Sequence, residues 1–421
     1  MSDTEERSYL VLGAGFLGKY IIHDILRADQ SSSVTVIDKV NPDAFFASTQ
    51  MKEFKNNPKR LKYCWQSCKD IVQLLKEGII QGARNGIIIT QAIADVPYAI
   101  RSVLDTFDAN VTSPLSFFEL LRAVGYDQRI VLMSSESVYG HQPYDKLPMK
   151  EDLLPNPTNV YGASKLCQET IARTYNKQYG LKTTVLRSAT MYGAYSRTKQ
   201  AIPIFLGQVM QSMPVTLEGD GKQSRDFIHV ADVAEACELA CEYQGNGING
   251  ETINIGSGNE TPFLSLVNAI KYVLQQPTDE FDGMGVRKDG FIPIKFLPFR
   301  GGEEGLRVVL DNSKAKEKLD WVPSIKFNDG LRHTCAWYAS DILKFEKDEM
   351  EELMELMFPN RYTSGLSVEI NNRIYQQKLH NTPGAVVFSE EEFQDFKRKK
   401  IDRLNNIFKK HNQLEHPQES S

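Results

Sequence analysis

The chain has 421 residues, 41% apolar and 24% charged, enough to bury about two domains and leave further segments over. A formal net charge of −5 argues against nucleic acid or an anionic membrane as the main partner. No apolar run reaches membrane-spanning length, and the acidic, polar residues 1–6 carry no signal or transit pattern, so a cytoplasmic protein is expected. The six cysteines form no ligand set. Cys64 with Cys68 and Cys237 with Cys241 stand four apart without a placed histidine, and they read as free thiols in a reducing compartment, with no metal.

The first element is a short apolar strand, Tyr9-Leu10-Val11-Leu12. It runs into Gly13-Ala14-Gly15-Phe16-Leu17-Gly18 and then into an amphipathic helix bearing Tyr20, Ile21, Ile22, Ile25 and Leu26. Strand, Gly-x-Gly-x-x-Gly turn and helix in that order form a dinucleotide-binding pattern: the glycines admit a pyrophosphate to the amides and positive dipole end of the helix. Val34-Thr35-Val36-Ile37 is a β-branched strand ending in Asp38, twenty residues past Gly18. A carboxylate there accepts bonds from an adenosine ribose and repels a 2′-phosphate, which selects NAD over NADP. Two further strands are expected at residues 86–90, leading into Gln91-Ala92, and at residues 129–133, leading into Ser134-Ser135-Glu136-Ser137-Val138-Tyr139-Gly140. Between them Asp108-Ala109-Asn110-Val111 opens a helix carrying Phe117, Phe118, Leu120 and Leu121. In Tyr161-Gly162-Ala163-Ser164-Lys165 a phenol and an ammonium lie four residues apart on one helix face. A nearby cation stabilises a phenolate, so the spacing predicts that Tyr161 exchanges a proton nearer neutral pH than a free phenol does.

The chain resembles an extended short-chain dehydrogenase/reductase of the nucleotide-sugar epimerase and dehydratase family over roughly residues 8–340. The motifs occur in family order: the glycine turn, the strand-end acid, Ser-Ser-x-x-Val-Tyr-Gly and Tyr-Gly-x-Ser-Lys. Residues 217–227 (LEGDGKQSRDF), 254–258 (NIGSG), 313–316 (SKAK) and 319–323 (LDWVP) complete the set. The resemblance implies an α/β fold with a doubly wound parallel sheet (Rossmann) binding NAD over residues 7–187. A smaller substrate domain would lie mostly in 188–342, parts of it returning to the first domain, and a helical extension with a disordered end in 343–421. NAD would be held by Gly13, Gly15, Phe16, Leu17, Gly18, Asp38, Ala92, Asn110, Tyr161 and Lys165. Tyr161 would be the acid/base, with Lys165 on the nicotinamide ribose and Ser135 on the substrate oxygen. Arg225 and Arg300 would clamp the diphosphate of a nucleotide sugar, since each guanidinium presents a planar fork of donors. A homodimer through a four-helix interface is implied by analogy.

Four departures from the family pattern bear on the reaction. Leu12 stands where a further glycine is usual. Residues 187–193 read RSATMYG, so Ala189 and Thr190 replace an aromatic beside the nicotinamide and an amide beside the phosphate; Thr190 is expected to offer its hydroxyl to phosphate. After Ser135, where dehydratases carry an Asp-Glu pair and decarboxylases a glutamate at the second position, this chain has Glu136-Ser137. Glu136 is either an added general acid/base or a helix-start residue favoured by the dipole, and Ser137 falls in the substrate site. With the carboxylate pair incomplete, 4-epimerisation through a transient 4-keto sugar is the simplest expectation. Dehydration or decarboxylation using Glu136 is the runner-up, and a catalytically silent NAD-binding regulator is a further alternative. The fourth departure is the tail after residue 338, where residues 345–358 and a helix opened by Ser389-Glu390-Glu391-Glu392 are amphipathic candidates.

Overall fold

The computed structural model describes residues 7–210, 213–274, 292–299 and 305–342. Arg300 and the 343–421 extension therefore lie outside the described residues. The strands are Ser8–Leu12 (β1), Ser33–Asp38 (β2), Leu61–Trp65 (β3), Gly86–Ile89 (β4), Ile130–Ser135 (β5) and Thr183–Ser188 (β6). They continue with Thr190–Tyr192 (β7), Val215–Glu218 (β8), Ser224–His229 (β9), Thr252–Ile255 (β10), Glu260–Pro262 (β11) and Ile294–Leu297 (β12).

Seven of these strands form a parallel sheet in the order β10-β6-β5-β4-β1-β2-β3. The chain returns for the last member, β10, more than sixty residues after β6. Successive side chains of a strand point to opposite faces, and here both faces are covered, so the strands read as continuous apolar runs. Tyr9, Val11, Val34, Val36, Ile88, Val131 and Met133 enter one core. Leu10, Leu12, Ile37, Ile87, Ile89, Ile130 and Leu132 enter the other. The first core is roofed by the helices Phe16–Ala28 and Val230–Glu242, the second by Ser113–Ala123 and part of Val160–Tyr179.

Two smaller sheets follow, β11-β9-β7 and β12-β8. Thr190 pairs with Phe227 across β7 and β9, which brings β9 alongside the segment just past β6. The described residues from Arg7 to Trp337 belong to one compact unit. Strands β5, β4, β1 and β2 are neighbours, and their carboxyl ends lie along one edge of the sheet. The order reverses at β1, where an open α/β sheet leaves a crevice.

Candidate active site

The glycine turn sits at the carboxyl end of β1. Gly13 holds φ +95°, a left-handed backbone, while its N–H donates to the Ile37 carbonyl at 3.0 Å. A methyl on Gly13 would stand 2.6 Å from the Gln91 nitrogen, and one on Gly18 2.0 Å from the Gly13 oxygen. These two glycines are packing requirements. Gly15 differs: a side chain there would meet nothing within 4 Å among the described residues. Gly15 is also the N-cap of Phe16–Ala28 and makes no side-chain capping bond, so the first-turn amides of Phe16, Leu17 and Gly18 have no such cap. Open space over uncapped amides suits a pyrophosphate. Asp38, at the end of β2, accepts from the Ala14 N–H and, through Oδ1, from Val40 N–H at 2.8 Å. The turn and this carboxylate are thus one unit, and the residues present fit NAD.

Asn110 has a different place from the one the sequence suggests. It lies in a π-helical turn, Asp108–Thr112, and is fully buried. Its Oδ1 accepts from Ile93 N–H at 2.7 Å, and its Nδ2 donates to the Ile93 carbonyl at 3.0 Å and to Ser164 Oγ at 2.9 Å. Ser164 in turn donates to the Tyr161 carbonyl at 2.7 Å. Asn110 is therefore a strut between the loop after β4, which carries the half-buried Ala92, and the tyrosine helix.

That helix, Val160–Tyr179, starts on Asn159, whose side chain accepts from Gly162 N–H at 2.8 Å, and stops on Gly180 in a left-handed conformation. A methyl on Gly162 would be 2.4 Å from the Ser137 carbonyl, so the glycine lets the helix rest on the turn after β5. This contact brings Tyr161 to Ser135, whose hydroxyl acts on the phenol. Burial pushes the Tyr161 phenol above its ordinary value; Ser135 and Arg197 act against that shift, and the Glu136 charge adds to it. Lys165 is not among these influences. Its ammonium, deeply buried, turns along its own helix and donates to Gln168 Oε1. Burial lowers Lys165 to about 8, opposed by the carboxylate of Glu169. The sequence expectation that Lys165 draws the phenol toward neutral pH is not met by this arrangement, because spacing fixes a shared helix face and not the direction of a four-carbon side chain.

Glu136 opens a single turn, Glu136–Val138, too short to offer a helix dipole. Burial pushes its carboxyl up to about 8, where a dipole would lower it. Thr190 and Arg225 oppose the shift and Asp226 adds to it. Thr190, expected on phosphate, instead donates its hydroxyl to Glu136 Oε1 at 2.7 Å, because β7 runs beside this turn. Glu136 Oε2 is buried with no hydrogen-bond partner among the described residues. Ser137 is half-buried and lies within reach of Ser135: their hydroxyls are 3.2 Å apart. Arg225, on β9, is half-buried, stacks over Phe263 at 5.5 Å and acts on Glu136. The two carboxylates near Arg225 in sequence are held elsewhere. Asp226 accepts from Ser257, Gly258 and Leu310, and Asp232 from Ser324 and Ile325.

Beneath the site lies a buried ion pair that the motif reading missed. Glu169 is 0% exposed and Arg187 1%. The guanidinium meets the carboxylate with two bonds, Nε at 2.9 Å and Nη2 at 2.8 Å. Ser134 Oγ donates to the same carboxylate, and the guanidinium lies 4.6 Å from the centre of the Tyr139 ring. Glu169 follows Lys165 by four residues on the same buried stripe, and that spacing is the signal that could have found it.

A model described as the NAD dependent epimerase/dehydratase family matches residues 9–256. The chain is 29% identical over 339 residues to a UDP-glucuronate 4-epimerase of Thermodesulfobacterium geofontis, covering 79% of this chain and 97% of the relative. It is 28% identical over 347 residues to a dTDP-glucose 4,6-dehydratase of Escherichia coli, covering 78% and 92%. Among solved structures, the UDP-glucose 4-epimerase of Thermotoga maritima with UDP-glucose superposes with a TM-score of 0.67 at 26% identity. That match covers 80% of this chain and 99% of the other.

Proposed function

The chain belongs to the NAD dependent epimerase/dehydratase family, and from that footing we propose that it converts a nucleotide-diphosphate sugar through a 4-keto intermediate, by 4-epimerisation. The observation that carries this reading is the placement of Tyr161 at Ser135, on the sheet edge that also carries the uncapped glycine turn. Bound NAD supplies a two-way hydride acceptor for the sugar C4. Tyr161 takes the C4 hydroxyl proton and later returns it, while Ser135 holds the same oxygen. Lys165 steadies the nicotinamide ribose. Arg225 pairs with the diphosphate, with Arg300 as its expected second clamp. Asp38 holds the adenosine ribose. The 4-epimerase relatives named above support the class, and Ser137 in place of a second carboxylate supports epimerisation within it.

One observation favours dehydration as a second reading. Glu136, raised to about 8, keeps its proton at neutral pH and is placed to protonate a departing hydroxyl. We also propose a homodimer. Ile100, Leu104 and Leu115 are exposed, Leu104 by 84%, on helices that flank Val160–Tyr179, itself ending in the exposed Tyr179.

The test is to assay the purified protein for bound NAD and then to incubate it with UDP-, GDP- and dTDP-sugars in deuterium oxide. A C4 epimer without deuterium at C5 is expected. Deuterium at C5 with loss of water would replace epimerisation by dehydration, and the absence of any hydride transfer would overturn both. Sedimentation equilibrium at twice the monomer mass is expected for the dimer.

A further inference from the structure

The amino-terminal edge of the main sheet, opposite the glycine turn, carries a cavity of about 340 Å³ that the chemistry above does not use. Strands β6, β5, β4 and β1 are neighbours, and a cation stands just ahead of each: Lys182, Arg129, Arg84 and Arg7. All four line the cavity. Backbone bonds hold the strand starts side by side: Asn85 N–H donates to the Ser8 carbonyl, Ile87 N–H to Arg129 and Ile130 N–H to Lys182, each at 2.9 Å. Neighbouring strands lie about 4.8 Å apart, so the four cations are rooted along about 14 Å of edge. The turn after the helix Val230–Glu242, with Tyr243 and Gly245, closes the far side. Glu242 is the carboxylate of this lining, and it is already engaged: it accepts from Arg7 at 2.9 Å and from the Tyr9 hydroxyl. Arg129 is 6% exposed and has no ion pair among the described residues. Its guanidinium donates to Asn249 Oδ1 at 2.7 Å and to the Tyr243 and Gly245 carbonyls at 3.2 and 2.7 Å. Those acceptors are neutral and leave its charge uncompensated, and burial weakens its hold on the proton. Lys182 is half-buried, also without an ion pair among the described residues. Four cations against one engaged carboxylate, in a chain of net charge −5, concentrate positive potential in this cavity.

We propose that this cavity binds a small phosphate ester through its phosphate group, at a site separate from the cofactor crevice. A guanidinium presents a planar fork of donors that matches phosphate oxygens, and a lysine adds a compact charge. The volume falls at the low end of the range for small-molecule sites, about 300–1,000 Å³. Beyond the cations, Asn85, Gln128, Gln244 and Asn246 line the space. Their amides suit the hydroxyls of a polar ester and offer no apolar slot for a base. Parallel strands carry the two sites at their opposite ends: β5 starts at the Arg129 side and ends on Ser135. The cavity shares no residue with the nucleotide-sugar site and is independent of that reading.

The test is a set of thermal melts of the full chain, with NAD in excess, in inorganic phosphate and in glycerol 3-phosphate. Sodium chloride at equal ionic strength is the reference. For a ligand held at about 1 mM, either phosphate at about 20 mM should raise the wild-type Tm by about 2 °C over chloride. Arg84→Ala with Lys182→Ala should lose that rise. In chloride the same double variant should melt no lower than wild type, because like charges have been removed. Each single variant gives a reduced rise if the double does not fold. Arg129 is left in place because it holds the Tyr243 and Gly245 carbonyls. Arg225→Ala, altered in the candidate active site, should keep the full rise. No rise in wild type, or a rise that persists in the double variant, would overturn the proposal. A rise with inorganic phosphate and none with the ester would reduce the cavity to a place for an adventitious ion only, and would overturn it too. Asp3, Glu5 and Glu6 precede Arg7 in the chain, so the melts include the variant Asp3→Asn, Glu5→Gln, Glu6→Gln. A rise confined to that variant would assign the cations to the chain's own carboxylates and refute a small-molecule site.

Discussion

Removing one partner of the Glu169–Arg187 pair should destabilise the protein far more than removing both. In Glu169→Gln the side chain keeps its shape but loses its charge, and Arg187, 1% exposed, is left facing a neutral amide. The guanidinium then loses the charge-assisted character of its bonds at 2.9 and 2.8 Å, keeping at most one neutral bond to the amide oxygen and the stacking on Tyr139 at 4.6 Å. Breaking a buried pair in this way costs about 3–5 kcal/mol, and a cation–π contact returns at most about 2 kcal/mol of compensation already present in the native protein. Replacing both partners by apolar residues of similar volume, Glu169→Leu with Arg187→Met, removes the desolvation problem with the charges, and such swaps are often neutral. Urea unfolding followed by tryptophan fluorescence suits the comparison, because Trp321 is fully buried and its indole N–H donates to the Asp232 carbonyl at 3.0 Å. A single variant losing less than about 1 kcal/mol, or a double variant losing as much as the worse single, would refute the argument. Glu169→Gln has a second expected effect. The carboxylate supports the Lys165 ammonium against burial, so without it Lys165 should lose its proton at a pH below about 8.

Three further outcomes are expected. Tyr161→Phe should retain bound NAD while turnover falls by about 10²–10⁴, the usual worth of a placed acid/base, as measured by product formation. Gly18→Ala puts a methyl 2.0 Å from the Gly13 carbonyl, so the turn must open and the purified protein should lose its NAD, read from the absorbance of the released cofactor. Glu136 holds its proton up to about pH 8 in the folded protein, whereas the unfolded chain releases it in the ordinary carboxylate range. Between those values the native state binds more protons, so this group's contribution to stability falls as pH rises. Thermal melts of Glu136→Gln against wild type should therefore diverge in the variant's favour from about pH 4 to pH 8, and parallel curves would contradict the burial of that carboxyl.

Much of the site was legible because its signals are local. A strand, a glycine turn and a helix are specified by neighbours in sequence, and Gly13, Gly18 and Asp38 occupy the places that pattern assigns. The Ser135 and Tyr161 pairing was legible as a motif, although what closes it is Gly162 resting on the Ser137 carbonyl. Side-chain partners were not legible. Asn110 reads as a cofactor contact until Ile93 and Ser164 are seen to occupy its amide. Lys165 reads as the tuner of Tyr161 until its ammonium is found on Gln168. In both, the backbone position was foreseeable and the competition among nearby donors and acceptors was not.

The sequence by itself determined the doubly wound sheet, the dinucleotide turn and the residue proposed as acid/base, since hydrophobic period, glycine placement and motif order are properties of the chain read in one dimension. Only the tertiary structure decided the protonation states. Burial of Glu136 and its contact with Thr190 depend on β7 and β5 meeting through a fold that closes 54 residues of chain between them. A carboxyl's proton affinity is set by the water and charges around it, and those are assembled in space rather than in sequence.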